Sequence, residues 1–175
     1  AVCQSLGIVP IVEPEVLIDG NHSIERSAEV NEQVLNAVFS ALRQHGVTLE
    51  HMILKPSMVT PGKEAGKSSP EEVAAMTLRT LKRCVPPAVP SINFLSGGQT
   101  PEEATANLNA LNQPENGAPW KLGMSYGRAL QEPAMAVWAG DTANKALAQQ
   151  AFLKRARLNS LAKKGQYTAE KEAAD

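Results

Sequence analysis

The fold turns on residues 51–62, His51-Met52-Ile53-Leu54-Lys55-Pro56-Ser57-Met58-Val59-Thr60-Pro61-Gly62. Met52 to Leu54 is a short apolar run that reads as a buried strand, and it ends on a lysine followed at once by proline. Pro56 has no N–H and drives Lys55 toward an extended backbone, so the strand is expected to stop there. An ammonium at the end of a buried strand either reaches water or serves chemistry. A lysine disfavoured in its charged form by desolvation attacks a carbonyl as the free amine. Taken alone, the stretch leaves both readings open.

Upstream, Ile8-Val9-Pro10-Ile11-Val12-Glu13 is a nearly continuous apolar run, as in a strand covered on both faces. Pro10 is awkward inside a ladder. Alternation puts Glu13 on the face of Ile11 and Val9. Ala1 to Leu6, closed by Gly7, resembles the last turns of a helix with its C′ glycine, so the chain reads as a fragment that begins inside an element. Ser23 is an N-cap candidate, and Val30, Val34, Leu35, Val38 and Leu42 carry helical spacing up to His45-Gly46.

Downstream, a loop from Pro61 to Ser69 leads into Ser69-Pro70-Glu71-Glu72, a helix start with proline at its first position and acids in its first turn. Val73, Met76, Thr77 and Leu81 form its buried stripe. Ser91 to Leu95 reads as a third strand, followed by Ser96-Gly97-Gly98 and a second well-signalled helix start at Thr100-Pro101-Glu102-Glu103. Trp120 to Tyr126 is a fourth, weaker strand, with Gly127-Arg128 and a helix through Trp138 behind it. One long helix is expected from Thr142 to about Lys164, making residues 1–164 one unit and 165–175 a polar tail.

Strand followed by helix, four times over, points to a parallel sheet with right-handed crossovers. Four such units make half of a (β/α)₈ TIM barrel, which needs about 250 residues. A small open α/β sheet fits the same pattern.

Composition narrows the functional classes. Hydrophobic residues make up 43% of 175, enough for a core, and aromatic residues only 4%, so that core is aliphatic. Net charge is −1 without a basic block, which argues against nucleic acid as a partner. Proline and charge interrupt the apolar runs before any could span a membrane. Cys3 and Cys84 lie in no metal or redox spacing and suggest a reducing compartment, and no signal peptide is visible. His22, His45 and His51 lack ligand spacing, so neither a metal site nor a cofactor is expected. Trp120 and Trp138 read as packing residues.

Each predicted strand reaches a reactive or anion-binding residue type at its carboxyl end: Glu13, Lys55, Ser96, then Ser125 with Gly127-Arg128. Barrel active sites lie at that end. Glycines beside Ser96 let backbone N–H groups approach an anion, and Arg128 adds charge with paired donors. Each signal alone has an ordinary explanation, as a turn, a solvated carboxylate or a surface arginine. Their convergence at one end is the functional signal.

The segments IVPIVEPEVL, LKPSMVTPG, VPPAVPSINFLSGGQ, EEATANLNALN and SYGRAL resemble the second half of class I fructose-1,6-bisphosphate aldolase, from Gly7 to about Tyr167. The resemblance implies a (β/α)₈ barrel, of which this chain supplies the last four βα units and the C-terminal helices. It implies reversible cleavage of fructose 1,6-bisphosphate to dihydroxyacetone phosphate and glyceraldehyde 3-phosphate, in glycolysis and gluconeogenesis, without a metal. It casts Lys55 as the Schiff-base lysine, Glu13 as the carboxylate that dehydrates the carbinolamine, and Glu15 as its neighbouring acid. Ser96, Gly97, Ser125, Gly127 and Arg128 would surround the substrate phosphate, with Leu95 lining the pocket. A homo-oligomer, a tetramer by resemblance, in the cytoplasm or a plastid belongs to the same picture. Ser57 departs from the family's usual asparagine in LKPNMV, and His51-Met52 from a more usual Gly-Thr. A second lysine, an aspartate and further basic groups are expected from a first half outside these 175 residues. The alternative is a non-catalytic scaffold that keeps the phosphate pocket.

Overall fold

The structure is a computed structural model that describes residues 1–174. Its elements run α1 (Val2–Ser5), β1 (Ile11–Val12), α2 (Ile24–Gln44), β2 (Ile53–Leu54), α3 (Pro70–Cys84), β3 (Ser91–Phe94), α4 (Pro101–Leu111), β4 (Lys121–Met124), α5 (Arg128–Trp138), α6 (Lys145–Ala162) and α7 (Ala169–Ala174). The four strands form one parallel sheet in the order β1-β2-β3-β4. The fold is therefore α/β with a parallel sheet.

The helix starts follow local chemistry. Ser23 accepts a hydrogen bond from the Arg26 N–H, Ser69 from that of Glu72, and Thr100 exchanges reciprocal bonds with Glu103 in a capping box. Proline occupies the first turn of α3 and of α4, where its missing N–H would have no helical partner anyway.

The strands differ from expectation in instructive ways. Only Ile11 and Val12 of the run 8–13 pair as strand. Pro10 still contributes its carbonyl, which accepts from the Ile53 N–H at 3.0 Å, while Ile8 and Val9 stay exposed. The fourth strand, expected to be the weak one, pairs with β3 over four residues, Ser91↔Lys121 through Phe94↔Met124. Gly123 permits this: a Cβ there would lie 2.5 Å from Asn93 Oδ1. The expected helix from 142 opens as a 3₁₀ turn, Thr142–Asn144, capped by the Asp141 carboxylate, before α6 begins. Beyond residue 164 the polar segment carries the short helix α7.

Register divides the sheet into two unlike faces. Val12, Leu54, Ile92 and Leu122 lie in one row, with Phe94 and Met124 two residues further. That face is buried beneath α2, α3 and α4, which pack side by side, with α6 against α4 and α5. The other face carries Ile11, Glu13, Ile53 and Lys55, and Ile11 there is 56% exposed. Strand parity assigns Phe94 to the face of Val9, Ile11 and Ile53, and this is corrected: Leu54 pairs with Ile92, so Phe94 lies on the helix side and is fully buried. Parity carries a face along one strand but not across strands, whose stagger is set by the ladder.

Candidate active site at the carboxyl ends of the strands

Backbone pairing continues one step past the strands and fixes the start of the segments that follow them. The Lys55 N–H donates to the Val12 carbonyl at 2.8 Å, the Leu95 N–H to Pro56 at 3.1 Å, and the Ser125 N–H to Phe94 at 2.8 Å. Adjacent parallel strands lie about 4.8 Å apart. Glu13 and Lys55 therefore stand level with each other at the carboxyl ends of β1 and β2, while Ser96 and Ser125 follow the carboxyl ends of β3 and β4.

Lys55 Nζ lies 2.9 Å from Glu13 Oε1. The lysine side chain is 19% exposed and the carboxylate about half, so the amine is the more sheltered partner. A carboxylate at this distance can take a proton from the amine and return one to an oxygen leaving the same carbon. Glu15 projects into solvent and has no partner among the described residues.

Ser57 holds the acidic segment to the lysine strand. Its buried hydroxyl accepts from the Val16 N–H at 2.9 Å and lies 3.4 Å from the Val16 carbonyl. A residue that departs from the resembled pattern thus has a definite role in packing two loops together.

The third and fourth strands present donors without partners. Ser96 is buried, Leu95 behind it is buried too, and Gly97 and Gly98 both take left-handed backbone, with φ of 56° and 80°. Gly127 opens α5, and Arg128 is its exposed first residue. Among the described residues, the hydroxyls of Ser96 and Ser125 and the guanidinium of Arg128 have no hydrogen-bond partner. Hydroxyls, glycine amides and a guanidinium at neighbouring strand ends are the donor types that bind an anion.

Lys67 pairs with Glu103, and Lys63 with Asp19, which ties the 60–69 loop to the start of α4 and to the 14–20 segment. The Lys67 hydrogen bond holds the Glu103 carboxyl below the usual carboxylate range, against the opposing effect of burial. No three His, Cys, Asp or Glu among the described residues converge as metal ligands. Among the described residues, no helix is long and apolar enough to cross a membrane.

Sequence reasoning overlooked two carboxamides, Gln99 and Asn107, that back the Ser96 loop. A signal was present: Asn107 interrupts the apolar stripe Ala104, Leu108, Leu111 of α4, and a polar residue in such a stripe needs a partner. Trp138, expected to pack, is instead partly exposed beside Met135 and Phe152 in a groove between α5 and α6, well away from the strand ends in sequence.

Comparison with known proteins gives consistent results. The family model for glycolytic fructose-bisphosphate aldolase class-I matches residues 1–175. The chain is 54% identical over 174 residues to the cytoplasmic isozyme of fructose-bisphosphate aldolase from Spinacia oleracea, covering 99% of this chain and 49% of that protein. It is 56% identical over 168 residues to fructose-bisphosphate aldolase B of Gallus gallus, covering 95% and 46%. Among solved structures it superposes with a TM-score of 0.91 and 50% identity on fructose-bisphosphate aldolase from Plasmodium falciparum, crystallised with TRAP and a small-molecule inhibitor, over 96% of this chain and 48% of that one. The chain spans about half the length of the curated relatives it matches.

Proposed function

Given that the chain belongs to the class I fructose-bisphosphate aldolase family, we propose that the complete protein cleaves fructose 1,6-bisphosphate reversibly through a Schiff base on Lys55. The observation that carries this reading is the 2.9 Å approach of Lys55 to Glu13 at the carboxyl ends of their strands.

The chemistry follows from that arrangement. The Lys55 amine attacks the ketone carbon, and Glu13 moves a proton onto the carbinolamine oxygen, which leaves as water. The protonated imine then draws in the electron pair of the neighbouring C–C bond as a base removes the proton of the C4 hydroxyl. Glyceraldehyde 3-phosphate departs, and an enamine remains on Lys55. Protonation of the enamine carbon and hydrolysis of the imine release dihydroxyacetone phosphate and regenerate the amine. Ser96, Ser125, Arg128 and the amides of Gly97 and Gly127 hold the phosphate next to the ketone, with Leu95 lining the pocket, and so fix the carbonyl within reach of the amine. Glu15 adds negative charge beside Glu13.

In this reading the four strands form half of a (β/α)₈ barrel. The exposed face bearing Ile11, Ile53 and Lys55 becomes barrel interior, and the missing acid/base lysine and aspartate come from the other half. Residues 1–164 act as one structural half with 165–175 appended. A homo-oligomer in the cytoplasm belongs to the same proposal, since plant relatives are named cytoplasmic or cytosolic. A binding scaffold has no use for a sheltered amine at 2.9 Å from a carboxylate, which is why the catalytic reading is preferred.

The test is reductive trapping. Incubation of the complete protein with dihydroxyacetone phosphate and borohydride is expected to leave a stable adduct on the peptide containing Lys55. An adduct on another lysine, with Lys55 untouched, overturns the assignment.

A further inference from the structure

The Ser96-Gly97-Gly98 turn is built from residues with little conformational preference of their own, since glycine visits left-handed and right-handed backbone about equally. Something outside the glycines must hold its shape. Sterically, a Cβ on Gly98 would lie 3.1 Å from Ile18 Cδ1, and one on Gly97 would lie 3.2 Å from Leu95 Cδ1, so both glycines are closely flanked. The polar restraint is more specific. Gln99 donates twice to the Ser96 carbonyl, from its backbone N–H at 3.1 Å and from Nε2 at 2.9 Å. Its Oε1 accepts from Asn107 Nδ2 at 2.6 Å. Asn107 is 7% exposed and sits two turns into α4, so its carboxamide has a rigid base. The Asn107 donor decides which end of the Gln99 amide faces the loop: with its oxygen held by Asn107, only its NH₂ group can point at Ser96.

We propose that Gln99 and Asn107 are positioning residues for the phosphate loop, a carboxamide relay that carries the rigidity of α4 to the Ser96 hydroxyl and the Gly97–Gly98 amides. This role presupposes the aldolase reading above, and it deepens that reading at the phosphate site. Neither side chain touches the substrate. Both set where the groups that do touch it are held, so their loss weakens phosphate capture and leaves the Lys55–Glu13 chemistry intact. The Lys55 pair is anchored separately, through Ser57 and Val16.

Isosteric variants remove one donor at a time without changing volume. Gln99→Glu puts an oxygen against the Ser96 carbonyl, and Asn107→Asp removes the donor that orients Gln99. In the complete protein each is expected to raise KM for fructose 1,6-bisphosphate and the Kd for inorganic phosphate roughly three- to tenfold, the worth of one hydrogen bond. The value of kcat and the rate of borohydride trapping at saturating dihydroxyacetone phosphate are expected to stay within about twofold, because uniform binding is lost and not transition-state stabilisation. If Asn107→Asp does not fold, Gln99→Met, which keeps the length and loses both polar ends, is expected to show the same split. Unchanged KM and phosphate Kd in the folded variants overturn the relay, as does a fall in kcat that matches the rise in KM. A parent protein that binds phosphate but forms no imine refutes the aldolase reading alone, and the phosphate Kd values still decide the relay. A parent that does not bind phosphate refutes both.

Discussion

In the proposed aldolase reading, Arg128 would serve capture and Lys55 chemistry. Lys55 is tethered by Glu13, whereas Arg128 stands at the first position of α5 with its guanidinium uncommitted among the described residues. An exposed arginine with an uncommitted guanidinium, opening the helix that follows β4, is suited to an incoming anion. Arg128→Ala is therefore expected to raise KM for the phosphorylated ketose more than it lowers kcat. A hydrogen bond to a charged group is worth about 1.5–3 kcal/mol, or on the order of ten- to a hundredfold in KM. Steady-state kinetics of the complete protein checks this, and an unchanged KM places the arginine outside the phosphate site.

Among the elements, α7 is tied to α6 by a polar cluster around Glu172. Arg155 on α6 is 3% exposed and donates to both Glu172 oxygens, at 2.8 and 2.7 Å, while the Tyr167 hydroxyl donates to Glu172 at 2.8 Å and Arg155 also reaches Thr105 on α4. Burial, then the hydrogen bond to the Glu172 carboxylate, pushes the Tyr167 phenol up to about 12. Burial also acts to raise the Glu172 carboxyl, but the hydrogen bonds from Arg155 and Tyr167 together with the Arg155 charge outweigh it and hold the group below its usual 4.5. The signs define a window. The raised phenol stabilises the folded state fully below the ordinary tyrosine value of about 10, and loses that contribution as pH climbs through about 12. The depressed carboxyl stabilises it above the ordinary glutamate value, and loses that contribution as pH falls through its own folded value. Attachment of α7 is thus expected to persist from about pH 5 to 10 and to weaken at both extremes. Carbon-detected NMR of the Tyr167 ring and the Glu172 carboxyl reads both titrations. Glu172→Gln should bring the Tyr167 midpoint down, and a phenol that already titrates near 10 in the parent contradicts the cluster.

At the scale of the whole molecule, the sheet has helices on one face and two outer strands, β1 and β4, each with an unpaired edge. Ile8, Val9 and Ile11 are exposed at the β1 side, and Met135, Leu147 and Leu153 on α5 and α6. Burying each such aliphatic side chain stabilises by about 1.5–3 kcal/mol, and open strand edges template further pairing. The 175-residue chain on its own is expected to self-associate, as a dimer or larger species, and to lack aldol cleavage. Light scattering during size exclusion, thermal unfolding and a cleavage assay test this together. A monomer that unfolds cooperatively and turns over fructose 1,6-bisphosphate contradicts the half-barrel reading.

What the amino-acid order determined by itself is local: Ser23, Ser69 and Thr100 start their helices, Pro56 stops the strand after Lys55, and Glu13, Lys55, Ser96 and Ser125 each fall at a strand end. These follow from hydrogen bonds and torsions within a few residues, and they sufficed to mark the candidate site. What only the tertiary structure decided depends on contacts between distant segments. The face of Phe94 follows from the Leu54↔Ile92 register, and the strength of β4 from the space Gly123 leaves for Asn93. Ser57, read only as a departure, proved to bridge to Val16, and Gln99 to Asn107, because a side chain's partner across tens of residues is chosen by packing and leaves no trace in local spacing.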